Sequence, residues 1–143
     1  SGDATVTNST ICNNNGGYPD KGGIYVVSGN SSFQSNNIAF NQYYGVYNSN
    51  NANIINAEGS YWGSELGPYN AQLNPNGNGN ATNNYVDADP FETDPIVSAP
   101  LIPVQVFYLL SNENNQITLR WNESVNSDIV NYNIYYNVFV ITN

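Results

Sequence analysis

A short segment returns along this chain. Gly23-Ile24-Tyr25-Val26 reappears 22 residues later as Gly45-Val46-Tyr47-Asn48, and Phe33 falls on Ile55 at the same spacing. Upstream, Val6-Thr7-Asn8-Ser9-Thr10-Ile11 matches Phe33-Gln34-Ser35-Asn36-Asn37-Ile38 at a spacing of 27. About five extra residues in the loop around Asn15-Gly16-Gly17-Tyr18-Pro19-Asp20 reconcile the two spacings. One unit of about 22 residues thus repeats over the first sixty, in three copies of which one is degenerate. A unit so small cannot bury a face alone and must stack on its neighbours.

Inside the unit, apolar residues alternate over three to five positions: Val6; Ile24 and Val26; Phe33; Ile38 and Phe40; Ile54. Asn, Ser and Gly separate them, and no window offers a 3.6-residue period. Two or three tiny strands per unit suit a stack in which inward side chains sit on the same position of the next layer. Asn belongs at the corners of such a stack. It tolerates left-handed backbone, and its amide bonds to neighbouring backbone or to another stacked Asn. That assigns a structural job to nearly all of the 29 Asn. Gly23 and Gly45 are expected where a strand begins after a tight corner.

Composition narrows the function. Charged residues make up 9 % of the 143, against about a quarter in ordinary domains. Disorder is the competing reading of an acidic, Asn- and Gly-rich chain, but 40 % hydrophobic and 13 % aromatic residues suffice for a thin, regular core. The net charge is -9, and Lys21 and Arg120 are the only basic residues. No basic footprint for nucleic acid or an anionic membrane can arise from two cations. Without His, and with Cys12 as the single cysteine, neither a His/Cys zinc site nor a Ser-His-Asp triad can be assembled. Cys12 forms no intrachain disulfide and reads as a small buried hydrophobe. No stretch approaches the roughly 18 apolar residues of a membrane-spanning helix.

The order Gly-x-Tyr, Asn-rich corner, apolar pair resembles the right-handed parallel β-helix proteins of the pectin-lyase-like superfamily. A second match follows: Tyr61-Trp62-Gly63, Gly67-Pro68, the Gly-rich stretch Asn74 to Asn80, and Val86-Asp87-Ala88-Asp89-Pro90-Phe91. This series resembles the segment that closes such β-helices in surface-exposed microbial proteins. The resemblance implies a cap over residues 56–92, in which Trp62 and Phe91 cover the apolar end of the last coil. An uncapped coil would present unpaired edge strands and an open core.

Composition shifts at 94–103, where Pro95, Pro100 and Pro103 predict a semi-rigid linker or an edge entry strand. Beyond it, Val104 to Leu110 reads as an apolar strand, and Gln116-Ile117-Thr118-Leu119-Arg120-Trp121 alternates cleanly. Ile129 to Tyr136 alternates again. Ile-Thr-Leu-x-Trp followed by Asp128-Ile129-Val130-x-Tyr132-x-Ile134-Tyr135 resembles strands B and C of a fibronectin type III domain. In that family the residues matching Trp121 and Tyr132 pack between two sheets. A complete sandwich needs roughly 100 residues, so residues 104–143 are expected to be an incomplete one, with Val138 to Ile141 as a further strand. Either a longer polypeptide or strands from another chain would complete it; Ala4-Thr5-Val6 likewise reads as mid-coil. The expected fold is all-β: parallel β-helix coils and cap over 1–93, a linker over 94–103, and a partial fibronectin-type-III-like sandwich over 104–143.

The β-helix resemblance brings polysaccharide lyases and glycoside hydrolases into view. Lyases of this fold use a basic residue with acidic residues that hold calcium, and neither Lys21 nor Arg120 is placed to serve. Hydrolases need converging carboxylates, whereas Asp3, Asp20 and Glu58 are widely spaced. Asp87, Asp89 and Asp94, with Glu92, form the densest acidic cluster and are the calcium candidates. Their spacing lacks the EF-hand order, and a solvated turn with Asp capping backbone amides is the alternative. Asn8, Asn30, Asn80 and Asn122 head Asn-x-Ser/Thr triplets and are glycosylation candidates in an exported protein. The tyrosines, Tyr43-Tyr44, Tyr47 and Tyr61 among them, either stack on sugar rings or pack in the core. Exposed rings in one row would favour glycan binding.

The expected function is a non-catalytic structural or adhesive protein at the cell exterior, with self-assembly into a filament as an open possibility. Its partners would be further copies of itself or other surface proteins, joined by strand completion, with glycans a further candidate. No cofactor is expected apart from the candidate calcium. The alternative is a non-catalytic part of a carbohydrate-active enzyme whose active coils lie outside this chain.

Overall fold

A computed structural model of the chain describes residues 2–19, 21–105, 107–113, 116–126, 129 and 131. Among them the structure is all-β, with no helix. Seven short strands come first: β1 (Thr10–Cys12), β2 (Ile24–Val26), β3 (Asn37–Ala39), β4 (Tyr44–Asn48), β5 (Ile55–Asn56), β6 (Ala81–Thr82) and β7 (Val86–Asp87). They form small parallel sheets in the orders β1-β3, β2-β4-β6 and β5-β7. A hairpin of β8 (Phe107–Glu113) and β9 (Gln116–Trp121) follows, paired antiparallel.

Parallel neighbours need a long crossover, commonly supplied by an α-helix. Here strands on other faces supply it. The chain visits three faces in turn, and each visit lies parallel to the one before. The first face aligns Thr5, Ser32, Asn56 and Asp87. The second aligns Thr10, Asn37, Tyr61 and Glu92. The third aligns Ile24, Val46 and Thr82. The pairs Thr10↔Asn37 and Ile24↔Val46 carry the 27- and 22-residue spacings seen in the sequence. The pairing Phe33 with Ile55 is corrected. Ser32 pairs with Asn56, which sets Phe33 level with Ala57, because the turn after β4 is two residues longer than the turn after β2.

The inward side chains make one core of Val26, Phe33, Ile38, Val46, Ile55, Ala57, Trp62 and Val86. Trp62 is 0 % exposed and is a core residue, while the half-buried Phe91 packs against the same cluster from its edge. Gly45 is not at a corner as expected but inside β4. A Cβ there would stand 2.8 Å from Ile38 Cγ2 and 3.0 Å from Trp62 Cζ3, so the missing side chain makes room for the indole.

Amides organise all three corners. Between the first and second faces, buried Asn36 accepts from the Ser9 N–H at 2.9 Å and donates to the Val6 carbonyl at 2.8 Å. The Ser60 hydroxyl, one layer on, accepts from the Asn36 N–H at 3.2 Å. Between the second and third faces, Asn14, Asn41 and Asn80 stack as a column. Between the third and first, Asn83 Nδ2 donates to the Asn48 carbonyl at 2.7 Å, and buried Asn48 donates to the carbonyls of Asn53 and Tyr85. Each corner would otherwise strand backbone groups away from water. One left-handed residue per layer turns the first of these corners: Asn8 (φ 49°), Ser35 (φ 56°) and Gly59 (φ 62°).

The Pro-rich segment read as a linker lies against the second face. The Ile96 N–H donates to Asn37 Oδ1 at 2.8 Å, and Asn37 Nδ2 returns a bond to the Ile96 carbonyl at 3.2 Å. Thr10 Oγ1 donates to the Pro100 carbonyl, and Ser98 Oγ to Asn8 Oδ1 at 3.1 Å. Ile102 is buried with Ala39 and Tyr61, and Val125 packs on the same cluster. Buried Asn126 clasps both the N–H and the carbonyl of Ile102, at 3.2 and 2.8 Å. In β9, Trp121 pairs with Phe107 and is half-buried. Tyr132, most of the strand expected over 129–136, and the strand expected over 138–141 lie outside the described residues, as does Asp20.

Candidate functional site

On the third face the in-register pairing Tyr25↔Tyr47 brings two rings together. Their planes differ by 2° and their centroids lie 5.7 Å apart, an offset stack across adjacent strands. The ring of Tyr44 meets Tyr47 edge-on, with centroids 4.9 Å apart. Strict alternation would send Tyr44 and Tyr47, three residues apart, to opposite sides of the sheet. A bulge prevents this. Tyr44 pairs with Ala81 and Val46 with Thr82, so two steps on β4 oppose one on β6. Gly45 and Val46 both turn inward, and both tyrosines stay outside.

At the far end of this row Lys21 places its ammonium 4.9 Å from the ring centre of Tyr18 and 5.3 Å from that of Tyr25. Both distances are in the range of a cation–π contact. At the other end Tyr44 and Tyr69 both line a hollow of about 220 Å³. Gln72, Asn83 and Asn84 line it as well, and none of its side chains carries a charge. Asn84 Nδ2 donates to Gln72 Oε1 at 2.7 Å, holding the two amides side by side. The loop that carries Gln72 is braced from within. Asn70 and Asn74 exchange backbone bonds at 3.1 and 3.0 Å, and Asn70 Oδ1 accepts the N–H groups of Gln72 and Leu73, each at 3.0 Å.

A larger cleft of about 400 Å³ is lined by Pro68, Leu73, Asn74, Val86, Asp87, Asp89 and Phe91. Its two carboxylates are two residues apart in the chain. Asp87 Oδ1 accepts from the Asp89 N–H at 3.4 Å, a bond back to its own turn. Asp94 lines a different groove, with Asn8, Ser35, Gly59 and Glu92. The three calcium candidates are therefore not brought together, because the chain rounds a corner between Asp87 on the first face and Glu92 on the second. Among the described residues no three His, Cys, Asp or Glu side chains gather where an ion could be held.

Of the glycosylation candidates, Asn8, Asn30 and Asn122 are exposed. Asn80 is half-buried, and both ends of its amide are engaged in the corner column. Tyr61 is buried against Ala39 and Ile102 and does not belong to the surface row. Burial raises its phenol pKa, with the nearby charges of Asp94 and Glu65 adding to the shift. Burial likewise raises the Cys12 thiol. The indole Nε1 of Trp62 is buried and has no hydrogen-bond partner among the described residues. Sequence reading missed Tyr25 and Tyr69, and the signal that could have joined Tyr44 to Tyr47 is Gly45 inside a strand, a frequent mark of a bulge.

No protein-family model, curated protein or solved structure matches this chain. Among the described residues no helix is long and apolar enough to cross a membrane.

Proposed function

We propose that this chain is part of a parallel β-helix, joined to a fibronectin-type-III-like unit, and acts as a non-catalytic adhesive or structural element outside the cell. It presents its tyrosine row to saccharides. The observation that carries this reading is the contiguous row Tyr25, Tyr47 and Tyr44, ending in an uncharged hollow lined by amides. Aromatic rings with a polar edge suit sugars, whose C–H faces are apolar and whose rims carry hydroxyls. The three-faced stacking supports the role of a rigid support, since each layer repeats the geometry of the last.

The cleft with Asp87 and Asp89 supports the non-catalytic side of the reading. Glycoside hydrolysis needs two carboxyl groups flanking the scissile bond, roughly 5 Å or more apart. Here the two carboxylates are two residues apart in one turn, and the other residues lining the cleft carry no carboxyl group.

Electrophoresis through native gels containing soluble polysaccharide tests the proposal. The intact chain should be retarded, and a Tyr25→Ala/Tyr47→Ala variant with an unchanged circular dichroism spectrum should run freely. Equal mobility of the two proteins in every polysaccharide gel would refute it.

A further inference from the structure

We infer that the hollow lined by Tyr44 and Tyr69 is the selective subsite of the tyrosine face and takes one neutral pyranose unit through two adjacent hydroxyls. This rests on the saccharide-binding reading above and adds a ligand class and an orientation to it.

The amide pair at the rim sets the chemistry. The bond from Asn84 Nδ2 to Gln72 Oε1 uses one donor of the first amide and the acceptor of the second. Asn84 Oδ1 and Gln72 Nε2 have no partner among the described residues, so the pair offers one acceptor beside one donor. Two neighbouring hydroxyls fit this arrangement. One donates to Asn84 Oδ1 while the oxygen of the other accepts from Gln72 Nε2. The third amide, Asn83, is already engaged at both ends with the backbone of Asn48 and serves the fold.

Charge decides between neutral and acidic sugars. A carboxylate in the hollow would meet no cation there, and it would approach a chain of net charge -9. The Lys21 ammonium stands at the opposite end of the row, over Tyr18 and Tyr25. A neutral unit carries no such electrostatic cost. Size agrees as well. At about 220 Å³, the hollow falls below the roughly 300–1,000 Å³ of a drug-sized site and suits a single ring. The remaining units would run along Tyr44, Tyr47 and Tyr25, across strands spaced about 4.8 Å apart.

Affinity electrophoresis with three probes tests this: hydroxyethyl cellulose, galactomannan and polygalacturonate. Wild type, Tyr47→Ala and Gln72→Ala/Asn84→Ala are compared, with thermal melts to verify folding. Gln72 and Asn84 are exposed, so their removal leaves the core untouched. At least one neutral polymer should bind. The amide variant should bind it about tenfold more weakly, the equivalent of about 1.4 kcal/mol. Neutral binding that falls in Tyr47→Ala but not in the amide variant overturns the subsite and leaves the broader reading standing. Preference for polygalacturonate overturns the neutral class. Failure of wild type to bind any of the three counts against the underlying reading itself.

Discussion

Asn80 sits directly on Asn41, one layer apart in the stack. Asn80 Nδ2 donates to the Asn41 carbonyl at 2.7 Å, while its Oδ1 accepts the Asn41 backbone N–H at 2.9 Å and the Asn41 side-chain amide at 3.1 Å. Asn41 in turn accepts from Asn14 and donates to the Ile11 carbonyl at 2.9 Å. One side chain therefore ties three layers together at a corner where no strand ladder can.

Asn41→Ala should destabilise the fold substantially. It leaves the half-buried Ile11 carbonyl without its partner, while water can replace the bond to the exposed Asn14 N–H. A loss of about 1–3 kcal/mol follows, the cost of one polar group left unpaired. Urea unfolding should show a lower midpoint at an unchanged slope. Asn41→Asp should also destabilise, because it keeps the shape but removes the donors to Ile11 and Asn80.

Gly45→Ala should cost about 1–3 kcal/mol through overpacking, since the new methyl would press on Ile38 and Trp62. The same change made in a Trp62→Phe background should cost less, because the smaller ring retreats from the contact. A double-mutant cycle by thermal melting measures the difference. Simple additivity would show that the indole does not occupy that space.

The clasp between Asn37 and Ile96 should control how tightly the 94–102 segment is held. Asn37→Ala removes both bonds and should speed limited proteolysis within 94–103 while leaving cleavage elsewhere unchanged. Hydrogen exchange at the Ile96 amide should rise in step. If the segment were not held by this clasp, the substitution would change neither.

Alkaline stability should depend on Tyr61. Its phenol pKa is raised in the folded chain by burial, with the charges of Asp94 and Glu65 contributing. The unfolded chain therefore ionises first. The contribution of the neutral phenol is complete below the ordinary tyrosine pKa of about 10 and is lost as pH rises through the higher folded value. Tyr61→Phe should flatten the loss of stability above about pH 10. Spectroscopic titration should show a late-ionising tyrosine in the wild type that is missing from the variant.

Several features were legible in the residues alone. The 27- and 22-residue spacings became the registers Thr10↔Asn37 and Ile24↔Val46, since inward positions of stacked layers must repeat in chemical type. The place of Asn at corners was legible too, for its amide can bond backbone wherever the chain turns. The strap over 94–102 was not, because prolines report local stiffness and say nothing about which surface a segment will meet.

The sequence by itself determined a β-rich chain of repeating short strands with amide-built corners, because these follow from local patterns of apolar and polar residues. Only the tertiary structure decided that Phe33 sits level with Ala57, that Asp94 parts from Asp87 and Asp89, and that Tyr44 joins Tyr47 on one outer face. Each of these depends on how one layer returns over another. A bulge of a single residue, or a turn longer by two, changes which side chains meet without altering the pattern that a linear reading detects.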